Sequence, residues 1–191
     1  MLRLGLYGGA FNPVHLGHLL VARAAIEELG LDKLFFIPAA QSPFKSGDPI
    51  APAGLRLRWL RLALAGQTRC EVDDQEIGRG GVSYTIETAR DYNKKFPQAK
   101  LFYLIGADNV AKLTEWREAS ELAALLEFAV IPRLGKSSFK FPEPFRGQIL
   151  KGFPLEISSS EIRARVKAGL PIDFLVPPFA ARAIRDSNAY V

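Results

Sequence analysis

The chain has 191 residues, of which 48% are hydrophobic and 24% are charged, and its formal net charge is +5 at pH 7. These proportions are typical of a soluble globular domain and exclude a disordered, collagen-like or coiled-coil protein. The single cysteine, Cys70, excludes an intramolecular disulfide framework and fits a reducing compartment. The modest basic excess favours no particular partner, and the cluster Arg56-Leu57-Arg58 is expected on a solvated helix face.

The amino terminus predicts neither a signal peptide nor a membrane span. A short apolar run over residues 4–7 ends at Gly8-Gly9, and charged residues at 23, 27 and 28 interrupt the next apolar stretch. Both runs are shorter than the roughly 20 apolar residues that a membrane span requires. We therefore expect a cytoplasmic protein that does not bind a membrane.

Apolar runs and helical periodicity predict strands that alternate with helices. The predicted strands span residues 2–7, 34–37, 70–72, 100–105, 128–131 and 155–157. The predicted helices span residues 15–29, 53–65, 84–96, 118–126 and 158–167, with a last helix after Pro177-Pro178. This alternation predicts a doubly wound, Rossmann-like α/β fold, with a parallel sheet, helices on both faces and a small C-terminal helical tail. We expect one domain over residues 1–191, with its core at 1–157 and the C-terminal helices at 158–191.

The first predicted strand leads into a glycine-rich turn that holds both histidines of the chain. The run is Gly8-Gly9-Ala10-Phe11-Asn12-Pro13-Val14-His15-Leu16-Gly17-His18. Glycines allow a close approach to the backbone, and free amides at a helix start favour an anion. His15 and His18 share a helix face, so the run predicts a phosphate site at the carboxyl ends of the strands. It lacks the G-x-G-x-x-G order of dinucleotide-binding folds and a third ligand for zinc.

A second anion site is indicated near the carboxyl end, in the run Ile157-Ser158-Ser159-Ser160-Glu161-Ile162-Arg163. Ser158 and Glu161 have the spacing of a capping box. Ser159 and Ser160 then lie in the first helical turn, and Arg163 follows one turn later with a fork suited to phosphate oxygens. On local physics alone, a well-capped surface helix with an exposed arginine is the favoured explanation.

Together, the two runs resemble the nucleotidyltransferases that carry an H-x-G-H motif, and most closely the bacterial nicotinate mononucleotide adenylyltransferases. The second run is similar to the family's I-S-S-T-x-I-R motif, with Ser160 in place of threonine. Gly106-Ala107-Asp108 and Ser83-Tyr84-Thr85 resemble the family's G-A-D and S-Y-T runs. The resemblance implies an enzyme of NAD biosynthesis that transfers AMP from ATP to nicotinate mononucleotide and releases pyrophosphate.

The resemblance also implies roles for individual residues. The catalytic residues would be His15, His18, Lys45 and Arg163. ATP would bind Gly8, Gly9, Ala10, Phe11, Gly17, Gly106, Asp108, Ser158 and Ser159, and the C-terminal helices would complete its site. Nicotinate mononucleotide would bind Tyr84, Thr85 and Trp116, with the pyridine stacked on Trp116 and the nicotinate carboxylate near Thr85.

Several of these residues also have ordinary structural explanations. Asp108 equally fits a helix cap, Trp116 a core residue, and Lys45 a loop lysine in water. Phe44 stands where the family usually has histidine, and Ala40 where it often has asparagine. Ala40 weakens the choice of nicotinate over nicotinamide more than it weakens the choice of reaction.

We expect Mg²⁺ to arrive bound to ATP, because no carboxylate cluster in the sequence marks a metal site held by the protein. The expected partners are ATP and nicotinate mononucleotide, not nucleic acid, and assembly with further copies of the chain is left open. The alternatives are a transferase for nicotinamide mononucleotide, phosphopantetheine or a cytidine nucleotide, and a non-catalytic nucleotide-binding module. Gly135-Lys136-Ser137 resembles the end of a P-loop but has Val130 where the motif requires glycine.

Overall fold

The computed structural model describes residues 1–43, 50–131, 140–153 and 155–191. Lys45 and the run Gly135-Lys136-Ser137 lie outside these residues. Six parallel strands in the described part form one sheet: β1 (Arg3–Gly9), β2 (Lys33–Pro38), β3 (Cys70–Val72), β4 (Lys100–Gly106), β5 (Glu127–Ile131) and β6 (Gly147–Ile149). Their spatial order is β3-β2-β1-β4-β5-β6. The strand order reverses between β1 and β4, so the sheet is doubly wound, as predicted, and its ligand crevice lies beyond these two strands.

Seven α-helices of the described residues accompany the sheet. They are α1 (Leu16–Glu28), α2 (Ala53–Ala63), α3 (Gln75–Arg79), α4 (Thr85–Lys95), α5 (Ala119–Leu125), α6 (Ser159–Lys167) and α7 (Pro178–Asp186), and a 3₁₀ helix (Ala107–Glu115) follows β4. Within the residues described, no helix has the length and hydrophobicity needed to span a bilayer.

The core lies in two layers, one on each face of the sheet. Successive side chains of a strand point to opposite faces, so β4 sends Leu101, Tyr103 and Ile105 to one layer and Phe102 and Leu104 to the other. The first layer is covered by α4 and α5, and the second by α1, α2 and α7. Because both faces are covered, these strands are continuous apolar runs, which is why the sequence predicts them well.

The predicted strand over residues 155–157 is wrong. The sixth strand is Gly147–Ile149, which pairs with β5. Gly147 permits this pairing, because a Cβ at that position would overlap the carbonyl oxygen of Phe128. Leu155 is largely exposed and lies on the wall of a cavity instead. The short α3 and the 3₁₀ helix are absent from the prediction, while the other predicted elements differ from the structure only at their ends.

We predict that Gly8→Ala destabilises the fold. A Cβ on Gly8 would overlap the hydroxyl oxygen of Tyr103, which is buried and cannot move aside freely. Overpacking of this kind costs about 1–3 kcal/mol, which urea unfolding would measure. Gly106→Ala is the matched control, since a Cβ on Gly106 meets nothing within 4 Å. Equal stabilities of the two variants would contradict the prediction.

Candidate functional site

A cavity of about 700 Å³ lies at the carboxyl ends of β1 and β4. Its walls come from the β1–α1 loop, the ends of β4 and β5, and the segment that leads into α6. Ten of the residues to which the resemblance gives a catalytic or ATP-binding role line this cavity: Gly9, Ala10, Phe11, His15, Gly17, His18, Gly106, Ser158, Ser159 and Arg163. Gly8 does not line it and contacts Tyr103 instead, while Asp108 lies exposed in the first turn of the 3₁₀ helix.

The two histidine rings lie against each other at the start of α1. Their centroids are 3.7 Å apart, and their planes are tilted by 36°. The backbone N–H of His15 donates a hydrogen bond to Nδ1 of His18, at 3.2 Å. Because Nδ1 of His18 accepts this bond, a neutral His18 carries its proton on Nε2. His18 therefore presents an N–H donor at its other ring nitrogen.

His15 is uncharged at neutral pH. The residue is only 7% exposed, and burial lowers its pKa from 6.5 to about 4. Burial has this effect because removal from water disfavours the charged imidazolium. His15 therefore offers an uncharged hydrogen-bonding group to the cavity.

Phe11 supports His18 from a strained backbone conformation. Its φ is +43°, in the left-handed region that favours glycine. Its buried ring lies edge-on to His18, with the centroids 5.1 Å apart, and also packs against Tyr7 at 5.4 Å. Strained residues of this kind persist where the surrounding packing holds them, and they are frequent at functional sites.

Asn12 connects three parts of the chain, a role that no local sequence pattern predicts. Its Oδ1 accepts hydrogen bonds from the N–H of Ala51 at 3.1 Å and from the hydroxyl of Tyr190 at 2.7 Å. Its backbone oxygen accepts a third bond, from Nη1 of Arg163, at 3.0 Å. These contacts fix the β1–α1 loop against α6 and the C-terminal tail.

The start of α6 is capped as predicted and is attached to the same loop. Ser158 Oγ accepts a hydrogen bond from the N–H of Glu161, at 3.1 Å. Ser159 Oγ donates to the carbonyl oxygen of Pro13 at 2.8 Å, and Arg163 also donates to Ser160 Oγ at 3.3 Å. The helix lies at the surface and is well capped, as local physics predicts, but the expectation of an exposed arginine is wrong, because Arg163 is half-buried against the loop. The two motifs of the sequence meet at one cavity.

The expectation that Arg56 lies on a solvated face is also wrong. Arg56 is 2% exposed, whereas Arg58 is exposed as predicted. The Arg56 guanidinium donates to the carbonyl oxygen of Ala10 at 2.7 Å and to that of Ala51 at 3.1 Å. These hydrogen bonds hold Arg56 against the backbone of the glycine-rich loop between β1 and α1. No local signal distinguishes this arginine from an ordinary helix-surface arginine.

A second cavity, of about 330 Å³, brings the three predicted substrate residues together. Its lining residues are Pro43, Tyr84, Thr85, Glu115, Trp116, Arg117 and Leu122. Trp116 packs edge-on against Tyr103, with the centroids 6.1 Å apart, so one ring both contacts the core and lines the cavity. The hydroxyl of Thr85 donates to that of Tyr103 at 3.4 Å.

A buried polar network holds the segment that precedes α4. Ser83 Oγ accepts from the N–H of Ala40 at 3.0 Å, and the N–H of Ser83 donates to the carbonyl oxygen of Gln41 at 2.9 Å. Buried Glu76 accepts from Thr88 Oγ1 at 2.6 Å, and burial raises the pKa of the Glu76 carboxyl. No local sequence pattern predicts this network, because its members are far apart along the chain.

Comparisons with known proteins agree with this architecture. The model of the cytidylyltransferase-like family matches residues 6–165. A protein of Opitutus terrae named "Probable nicotinate-nucleotide adenylyltransferase" is 41% identical over 192 residues, which cover 99% of this chain and 98% of the relative. A protein of the same name from Methylacidiphilum infernorum is 36% identical, covering 99% of this chain and 92% of the relative.

A solved structure shares the fold. Plasmodium falciparum nicotinic acid mononucleotide adenylyltransferase, complexed with NaAD, superposes with a TM-score of 0.80 at 18% identity, covering 100% of this chain and 98% of that one. The doubly wound sheet and the family match define an α/β protein of the nucleotidyltransferase class. The chain belongs to the nicotinate-nucleotide adenylyltransferases, within the cytidylyltransferase-like family.

We predict that the buried imidazole of His15 makes stability depend on pH. The unfolded chain binds the His15 proton with a pKa near 6.5, and the folded protein with a pKa of about 4. The contribution of the buried, neutral His15 to the free energy of unfolding is therefore complete above pH 6.5 and is lost as the pH falls to about 4. At about 1.36 kcal/mol per pKa unit, the loss is about 3 kcal/mol.

Unfolding free energies of the wild type and His15→Asn, measured from pH 7.5 to pH 4, would isolate this slope, since His18 is common to both. NMR titration of the two histidines measures the pKa directly. A His15 pKa near 6.5 would contradict the prediction.

Proposed function

We propose that this chain transfers the adenylyl group of ATP to nicotinate mononucleotide, giving nicotinate adenine dinucleotide and pyrophosphate in NAD biosynthesis. The observation that carries the proposal is the pair of cavities: one has two histidines and a helix amino end, and the other has an aromatic ring and a small polar rim. Tyr103 lies between the strand that leads into the larger cavity and the wall of the smaller one. Its hydroxyl lies beside Gly8, the residue before the lining residue Gly9, and hydrogen-bonds to Thr85, which lines the smaller cavity. The activity is cytoplasmic, and its partners are these two nucleotides rather than nucleic acid.

ATP binds in the larger cavity, which the C-terminal helices complete. The triphosphate lies between the histidine pair and the first turn of α6, where backbone amides and the helix dipole favour anions. His18 donates from Nε2, and the half-buried Arg163 supplies a positive charge. Phe153 and Leu155, two partly exposed apolar residues on the cavity wall, give the adenine ring an apolar surface.

Nicotinate mononucleotide binds in the smaller cavity. Its pyridine stacks on Trp116, whose orientation is fixed by packing against Tyr103 and Phe128. Tyr84 and Thr85, at the start of α4, line the same cavity. The pyridine and its exocyclic group are thereby held while the phosphate of the mononucleotide faces ATP.

The reaction needs positioning and electrostatic stabilisation rather than a covalent intermediate. A phosphate oxygen of the mononucleotide attacks the α-phosphorus of ATP, the bond from that phosphorus to the bridging oxygen breaks, and pyrophosphate leaves. His15 and His18 hold the phosphates in line and offset the charge that develops in the transition state. Nucleotidyltransferases of this kind generally use a divalent metal with ATP. In our proposal this ion is Mg²⁺, and it enters as part of the MgATP substrate.

The acceptor is tested by pyrophosphate release from purified protein with MgATP and, in turn, nicotinate mononucleotide, nicotinamide mononucleotide and phosphopantetheine. We expect strong preference for the nicotinate form. Pyrophosphate release with another acceptor would support adenylyl transfer from ATP, but it would overturn the assignment of nicotinate mononucleotide to the smaller cavity. ATP binding without release from any acceptor would instead favour a non-catalytic nucleotide-binding module.

We predict that His18→Ala lowers kcat about 10²- to 10³-fold, the effect of losing one preorganised transition-state donor. Steady-state turnover with saturating substrates measures this change. His18→Asn is the informative second variant, because its side-chain amide keeps a donor and should recover part of the rate. Turnover of His18→Ala near that of the wild type would exclude the assigned role.

We predict that Trp116→Ala raises the KM for nicotinate mononucleotide about 10- to 100-fold, the usual effect of losing a base–aromatic stack. The KM for ATP should change little. Trp59→Phe is the matched control, because Trp59 is wholly buried in the core and contacts neither cavity. Equal losses for both substrates, together with a lower Tm, would identify Trp116 as a core residue only.

A further inference from the structure

Arg117 is a cation on the wall of the smaller cavity that the mechanism above does not use. Its guanidinium carbon lies 4.6 Å from the centroid of the Tyr84 ring, and both side chains line the cavity. The Arg117 side chain is 52% exposed, so its charged end remains in contact with solvent. Stacking on Tyr84 keeps the guanidinium at the cavity without burying it.

The ion pairs of Arg117 are long, and its partners are shared with other arginines. Its nitrogens lie 3.5 Å from a Glu87 oxygen and 3.6 Å from a Glu118 oxygen, beyond the 2.7–2.9 Å typical of charge-assisted hydrogen bonds. Glu87 also pairs with Arg79 at 3.2 Å, and Glu118 pairs closely with Arg90. The two carboxylates are therefore already neutralised in part, so Arg117 can turn towards another anion at little cost.

We propose that Arg117 pairs with the carboxylate of the nicotinate ring and so selects nicotinate over nicotinamide mononucleotide. This inference rests on the proposed function. The two acceptors differ at one exocyclic group, a carboxylate in one and a neutral amide in the other. A guanidinium has five N–H donors and no acceptor, so it matches both oxygens of a carboxylate and meets the amide NH₂ with a donor.

The placement of Arg117 suits this role because it directly follows Trp116 in the chain. One residue stacks on the pyridine face, and the next can reach the edge of the ring, where the exocyclic group lies. Among the described residues that line this cavity, Arg117 alone carries a positive charge. The guanidinium is therefore the lining group that can distinguish a charged from an uncharged exocyclic group by charge.

Glu115 carries the opposite charge on the same cavity wall and provides a test of sign. A carboxylate there repels the nicotinate carboxylate and leaves the neutral amide unaffected. If charge governs the choice between nicotinate and nicotinamide mononucleotides, removal of the Glu115 charge must raise the preference for the nicotinate form. Removal of the Arg117 charge must lower it. A purely steric role for either residue would not produce opposite shifts.

The test compares kcat/KM for nicotinate and nicotinamide mononucleotides in the wild type and in Arg117→Gln. We expect the ratio to fall roughly 10- to 100-fold in the variant, the factor for one charge-assisted hydrogen bond, chiefly through a higher KM for nicotinate mononucleotide. The KM for ATP should not change. Arg117→Lys should keep part of the preference, and Glu115→Gln should raise the ratio above that of the wild type.

Arg79→Gln is the matched control, because Arg79 pairs with the same Glu87 but does not line the cavity. Its ratio should equal that of the wild type. An unchanged ratio in Arg117→Gln, in a wild type that uses nicotinate mononucleotide, would overturn the inference and leave the proposed function standing. Failure of the wild type to use nicotinate mononucleotide would overturn both.

Discussion

The buried side chain of Asn12 is the constraint on which the larger cavity depends. Its carboxamide oxygen takes hydrogen bonds from residues 39 and 178 positions away in the sequence, and its backbone oxygen takes one from Arg163. A buried polar group that loses its partner costs about 1–3 kcal/mol, so these segments are held together as a unit. Arg56 supports the same loop through Ala10. The strained backbone of Phe11 is tolerated because the loop around it is fixed on several sides.

Strand β4 connects the two cavities. Its end lines the larger cavity at Gly106, while Tyr103 in its middle contacts Gly8, Thr85 and Trp116. A single buried ring therefore connects the glycine-rich side with the aromatic side.

The sequence predicts the parts of this molecule that depend on short-range pattern. Buried strands such as β4 are continuous apolar runs, and His15 and His18 owe their common face to helical spacing. The short strand Gly147–Ile149 escapes prediction because its pairing depends on the absence of a side chain opposite Phe128. The positions of Asn12, Arg56 and Tyr190 depend on contacts between distant segments, which no local pattern encodes. Lys45 lies outside the described residues, so its role stays a prediction.

The uncharged state of His15 has a consequence for the thermodynamics of anion binding. If the triphosphate of ATP binds in the larger cavity as proposed, a phosphate beside the imidazole stabilises its protonated form, and the pKa of His15 rises above about 4. Binding of an anion in the larger cavity is therefore coupled to proton uptake, and by reciprocity acidification tightens that binding. Departure of the anion returns the proton to solvent. Calorimetric heats of binding would accordingly vary with the ionisation enthalpy of the buffer.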